Sequence, residues 1–170
     1  QLLDGNTVTS TGFVSNGSGA FTLAGCGDLN NDGNDDLVLN GNNNTRVNLM
    51  NGVTSTSQGF VSNGANVFLV TSVADVNGDG NADLIARGVG NTQARVNLMN
   101  GITSTGTGFI TNAGATGSFP FTLAADLNGD GNADAVVGFP SPEGSGKDPV
   151  LEQEKTIPAG ETLLPIEIEA

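Results

Sequence analysis

The sequence predicts an all-β protein built from tandem four-stranded units, and three observations carry that expectation. Its 26 glycines, with abundant Asn, Ser and Thr, favour turns and strands over helices. An acidic loop recurs three times at a nearly constant interval. No apolar pattern of helical period runs for a useful length, and no stretch of about 18 apolar residues exists to cross a membrane as a helix.

The repeat is the main signal. Asp28-Leu-Asn-Asn-Asp-Gly-Asn-Asp-Asp36 returns as Asp75-Val-Asn-Gly-Asp-Gly-Asn-Ala-Asp83 and as Asp126-Leu-Asn-Gly-Asp-Gly-Asn-Ala-Asp134, at intervals of 47 and 51 residues. A second landmark, Val47-Asn-Leu-Met-Asn-Gly52, returns as Val96-Asn-Leu-Met-Asn-Gly101, with a worn copy in Gln1-Leu-Leu-Asp-Gly5. Ten residues after Leu3, Met50 and Met99 stand Phe13, Phe60 and Phe109, each preceded by Gly. Phe21, Phe68 and Phe119 each stand seven residues before the first Asp of a loop.

Between these landmarks the second unit reads as four strands, over 67–74, 82–87, 94–99 and 102–111. The acidic loop joins the first two. Asn-Gly joins the last two, as a two-residue hairpin in which both central residues take positive φ. Four antiparallel strands in 40 to 50 residues is the arithmetic of a β-propeller blade. A β-solenoid is the alternative, with repeats that are usually shorter. Residues 1–16 match the last two strands of a unit and 119–139 the first two, so two full blades lie between two half-blades. Closing that ring within one chain would leave three blades, below the usual four to eight. The halves can instead pair between chains, as a six-bladed dimer or an open head-to-tail array.

Charge narrows the partners. Asp and Glu outnumber Lys and Arg by 18 to 5, a net charge of −13, which argues against nucleic acid and anionic membrane. Ten of the twelve Asp residues sit in the three loops, where crowded carboxylates call for a cation. The single Cys26 allows no intrachain disulfide and reads as a small apolar residue before a loop. With no His there is no His-based triad, proton shuttle or zinc site. The Thr-Ser-Thr runs read as exposed strand faces, not activated nucleophiles. The chain is expected not to be an enzyme. It opens at Gln1 without Met or a visible leader, as a processed or partial chain would.

Each loop offers side-chain oxygens at positions 1, 3, 5 and 9, a backbone carbonyl at 7, and Gly at 6 for the sharp turn. This suits calcium, which takes six to eight hard oxygens. An EF-hand closes its sphere with a carboxylate at position 12, but Leu39, Ala86 and Val137 stand there, so neither an EF-hand nor a dockerin fits. Closure falls to position 9.

At these residues the chain resembles the FG-GAP/VCBS repeat family of integrin-type propellers and bacterial surface proteins, over about residues 1–139. The resemblance implies structural calcium sites between the first two strands of a blade, three ions per chain. The implied ligands are Asp28, Asn30, Asp32, Asn34 and Asp36 in the first loop. They are Asp75, Asn77, Asp79, Asn81 and Asp83 in the second, and Asp126, Asn128, Asp130, Asn132 and Asp134 in the third. The chain departs from many relatives in having no Trp or Tyr, which weakens any aromatic-based sugar site.

After Phe139 the composition changes. Residues 140–147 read as a flexible linker, and 148–170 as an extension ending in an alternating β-strand, Thr162-Leu-Leu-Pro-Ile-Glu-Ile-Glu169. That strand either caps its own sheet or adds to a neighbouring subunit. Asn16-Gly-Ser18 and Asn43-Asn-Thr45 are N-glycosylation acceptors by pattern. The expectation is an extracellular or surface-exposed, non-enzymatic calcium-binding structural subunit that self-assembles as a homo-oligomer or filament. The alternative is a carbohydrate-binding module, a lectin or adhesin of propeller type.

Overall fold

The computed structural model describes residues 1–15, 19–41, 44–62, 68–89, 93–111 and 121–138. The chain divides into two units, and all described residues lie in the first, Gln1–Pro140. The expected linker 140–147, the extension 148–170, Phe119 and both glycosylation acceptor asparagines lie outside the described residues.

Every described element is a strand. They run β1 Leu2–Asp4, β2 Thr7–Ser10, β3 Phe21–Gly27, β4 Asp36–Gly41, β5 Asn44–Asn51 and β6 Thr54–Ser62. There follow β7 Phe68–Ala74, β8 Asp83–Gly88, β9 Gln93–Asn100, β10 Thr103–Thr111, β11 Phe121–Ala125 and β12 Asp134–Gly138. Two four-stranded antiparallel sheets, β3-β4-β5-β6 and β7-β8-β9-β10, stand between two-stranded pieces, β1-β2 and β11-β12. The second repeat thus carries its four strands, β7–β10, within a residue or so of the expected bounds.

Register explains the landmarks. Leu37 pairs with Asn48 and Leu84 with Asn97, so the two complete sheets repeat residue for residue at their centres. The inner strands β4 and β8 are buried nearly throughout, not in alternation, because both of their faces are covered. One apolar cluster containing Leu29, Val38, Val47, Val61, Phe68, Val70, Leu84 and Met99 joins the two sheets. The recurrent phenylalanines pair within each sheet: Phe21 with Phe60 at 6.1 Å between ring centroids, and Phe68 with Phe109 at 5.8 Å. Arg46 lies over Phe21 and Arg95 over Phe68, a cation–π contact repeated once per sheet. Each guanidinium also donates to the preceding unit, Arg46 to the carbonyl of Ser15 and Arg95 to that of Ser62.

One feature corrects the sequence reading and a second adds to it. The hairpins turn at Gly52-Val53 and Gly101-Ile102, one residue later than Asn-Gly, since Asn51 pairs with Thr54 and Asn100 with Thr103. Only the glycines take positive φ, 61° at both positions. A β-branched residue resists the left-handed region, so the turn needs Gly at its first central position alone. Bulges also interrupt the ladders, between Leu23 and Gly25, Val70 and Ser72, Leu49 and Met50, and Ser104 and Gly106. At the bulges opposite β5 and β9, the hydroxyls of Thr56 and Thr105 donate to the carbonyls of Leu49 and Leu98. The Thr54–Ser57 face of β6 is exposed, as the Thr-Ser-Thr pattern predicts.

Candidate metal centre

Each acidic loop joins a first strand to a second, and the three lie side by side. The backbone N–H of Ala82 donates to the carbonyl of Asp28 at 2.7 Å, and that of Ala133 to the carbonyl of Asp75 at 2.7 Å. Position 8 of one loop is thereby tied to position 1 of the loop before it.

Inside the loops the side chains organise the turn. Asp28 accepts from the N–H groups of Asn30, Asp32 and Gly33. Asp75 accepts from those of Asn77, Gly78 and Gly80, and Asp126 from those of Gly129 and Gly131. Asp32, Asp79 and Asp130 accept from the N–H of Asn34, Asn81 and Asn132 and from the side-chain amides of Asn30, Asn77 and Asn128. These bonds hold all three position-5 carboxyls below the usual carboxylate range; for Asp32 the amide of Asn34 is the largest cause, for Asp79 and Asp130 the N–H of Asn81 and Asn132.

Position 6 is Gly33, Gly80 and Gly131, at φ of 86°, 87° and 92°. Position 4 also takes positive φ, at Asn31 (57°), Gly78 (75°) and Gly129 (77°). Sequence reasoning passed over position 4; the signal was there, because Asn and Gly are the residues that visit the left-handed region at least cost.

Position 9 is different. Asp36 and Asp83 are fully buried. One oxygen of Asp36 accepts from Leu29 N–H at 2.9 Å and the other from Met50 N–H at 2.8 Å. Asp83 repeats this with Val76 at 3.1 Å and Met99 at 2.8 Å. Burial pushes both carboxyls up; the like charges Asp32 and Asp28 add to this at Asp36, and Asp79 and Asp75 at Asp83, while the backbone donors pull the other way. Among the described residues no cationic side chain is one of the groups acting on either.

The residues present fit a hard cation by their donor chemistry. Every side chain at positions 1, 3, 5 and 9 carries oxygen, and the carboxylates of one loop repel each other. Oδ1 of Asn30 is buried without a hydrogen-bond partner. Among the described residues no three Asp, Glu, His or Cys side chains are gathered as a metal cluster. A cation held in such a loop would therefore meet mixed carboxylate and amide oxygens, those of Asn30, Asn77 and Asn128 beside the aspartates.

A sequence model of the FG-GAP-like repeat matches residues 28–86 and again residues 75–137. The chain belongs to the FG-GAP-like repeat family. Each match starts on the first Asp of a loop and runs through the next loop, so the family's unit coincides with the spacing of the acidic turns. No curated protein and no solved structure matches the chain.

Proposed function

We propose that this FG-GAP-like chain is an extracellular structural subunit whose three acidic loops bind calcium and whose sheets, arranged like propeller blades, assemble with further copies. The observation that carries the reading is the loop set itself: three oxygen-rich loops in register, stapled position 8 to position 1, with no cationic side chain among the described residues acting on the buried carboxylates. The ions would be held by Asp28, Asn30, Asp32, Asn34 and Asp36, by Asp75, Asn77, Asp79, Asn81 and Asp83, and by Asp126, Asn128, Asp130, Asn132 and Asp134. Calcium supplies positive charge where the loops concentrate negative charge, and three ions would offset about half of the net charge of −13. Extracellular modules bind calcium at about 10⁻⁴–10⁻³ M, which suits the outside of a cell and not the cytosol. No helix among the described residues is long and apolar enough to cross a membrane. Calorimetric titration of the chelated chain, with light scattering across protein concentrations, tests both halves of the reading.

A second reading rests on one cleft. Phe60, Ser62, Arg95, Asn97, Ser104 and Thr107 line an open space of about 480 Å³ between β6 and the β9–β10 hairpin. Amide, guanidinium and hydroxyl groups beside a half-exposed ring are groups that sugars use, and Oδ1 of Asn97 is buried without a partner. A glycan array with wild-type and Asn97→Ala chains tests it; binding that the substitution abolishes would favour a lectin.

A further inference from the structure

We propose that the cleft between the two complete sheets binds an acidic saccharide, with Arg95 taking the carboxylate of the sugar. This rests on the second reading above and names the class of sugar.

Strand geometry brings the polar groups of the cleft to one place. Arg95 and Asn97 stand two apart on β9 and so share a face, and Thr107 on β10 pairs directly with Asn97. The bulge between Ser104 and Gly106 shifts the ladder there. The hydroxyl of Ser104 accepts from the side-chain amide of Asn97 and donates to the carbonyl of Gly106, both at 3.2 Å. Strand β6 of the preceding sheet forms the opposite wall. The sheets touch where Gly59 meets Ile102, because Gly59 has no side chain to hold them apart. Beside that contact the cleft opens to about 480 Å³, within the range of about 300–1,000 Å³ that small-molecule sites occupy.

Arg95 is held in place but not neutralised. Its guanidinium lies 4.8 Å from the centre of the Phe68 ring and donates to the carbonyl of Ser62 at 2.7 Å. A guanidinium carries five N–H donors, and among the described residues this is the one hydrogen bond it makes; Nε is buried without an acceptor. Burial pulls Arg95 below its usual range, and no carboxylate among the described residues lining the cleft offsets that cost. In the first sheet the same position holds Arg46, which makes the same two contacts and is 6% exposed, a closed version of the clamp. Arg95 is half-buried and lines the open cleft.

Charge selects the ligand. The chain carries −13 with five Lys and Arg in all, so most of its surface repels an anion. The described lining of the cleft holds one cation and no acid, so a carboxylate can approach there and form a planar, charge-assisted pair with the guanidinium. The remaining groups suit a sugar ring better than a bare anion. Phe60 is 55% exposed and offers an apolar face, and Thr107 offers an exposed hydroxyl. Asn97 is 3% exposed and its Oδ1 lacks a partner among the described residues, so a sugar hydroxyl that met it would relieve the cost of burying it.

The test titrates the chain, in calcium-containing buffer, with cellobiouronate and with cellobiose, disaccharides that differ only in a carboxylate against a hydroxymethyl group. Ligand-observed NMR reads the binding. Cellobiouronate should bind about tenfold tighter or more, and the margin should shrink as salt rises. Arg95→Gln should erase the margin. Because Arg95 also bonds Ser62, two further variants carry the decision. Thr107 is exposed, so Thr107→Glu and Thr107→Lys should melt as the wild type does, the first removing the preference and the second enlarging it. Equal binding of the two disaccharides overturns the acidic class and leaves the sugar reading standing. Binding of neither overturns both. A preference for cellobiouronate that both Thr107 variants leave unchanged puts the site elsewhere and overturns the cleft. Acetate binding as tightly as cellobiouronate makes the site an anion contact and overturns the saccharide.

Discussion

Asp83 ties the second acidic loop to two places at once, the turn through Val76 and the third strand through Met99. Replacing it by Ala strands one buried and one half-buried N–H group, the buried one at about 1–3 kcal/mol and the other at less. Asp83→Ala should therefore lower stability by about 2–4 kcal/mol in urea even with calcium removed, and Asp83→Asn, which keeps one acceptor, by about half as much. Asp79 and Asp35 offer a second contrast. Asp79 is a proposed ligand and holds the turn through Asn77 and Asn81, whereas Asp35 at position 8 is exposed and its counterparts are Ala82 and Ala133. Calcium affinity should fall clearly in Asp79→Ala and hardly in Asp35→Ala; equal losses would remove the ligand assignment. Acid separates the same groups by sign. Raised carboxyls at Asp36 and Asp83 bind protons more tightly in the folded state, so their contribution is complete below the unfolded value of 3.8 and is lost as pH rises through their folded values. Lowered carboxyls at Asp32, Asp79 and Asp130 act oppositely, stabilising above 3.8 and losing that as pH falls through their folded values. The chelated protein should thus gain melting temperature as pH drops from neutrality toward about 4 and lose it below, while calcium's added stabilisation shrinks across the first interval.

Hairpins and sheets show where sequence reading succeeds. The acidic loops, the four-strand unit and the two half-units were legible because three landmarks kept one spacing, and each landmark proves to be a contact: loop, hairpin and aromatic pair. The turn at Gly52-Val53 was not, since Asn-Gly is a strong signal for a different turn and only pairing of Asn51 with Thr54 moves it by one residue. Bulges beside Ala24, Thr71, Thr56 and Thr105 were equally hidden, because an extra residue leaves no mark in a composition already rich in Thr and Gly. In the loops the oxygen donors were legible, but the hydrogen bonds from Met50 and Met99 were not, as they join residues 14 and 16 apart in sequence. Two glycines test the spacing between sheets. A Cβ at Gly59 would lie 2.6 Å from the Cβ of Ile102, so Gly59→Ala must push the sheets apart and lower the melting temperature. Gly108→Ala meets nothing within 4 Å among the described residues and should leave melting unchanged.

At the scale of the molecule, the account joins charge, repetition and incompleteness. Loops that repel internally line up along neighbouring units, so a bound cation in each would stiffen a row and not just a turn. Two two-stranded pieces flank two whole sheets among the described residues, and one apolar cluster joins the whole ones. That stiffening depends on calcium being held by the loops. A ligand bound only by the folded state at 100 times its Kd adds about 2.7 kcal/mol per site, enough to move a melting curve visibly. The most direct measurement is calcium titration of the chelated chain, with melting followed at each calcium level. Three ions per chain and a melting temperature that climbs as they bind are the predicted result; no bound calcium at about 10 mM, with melting indifferent to chelator, would contradict the account at its base.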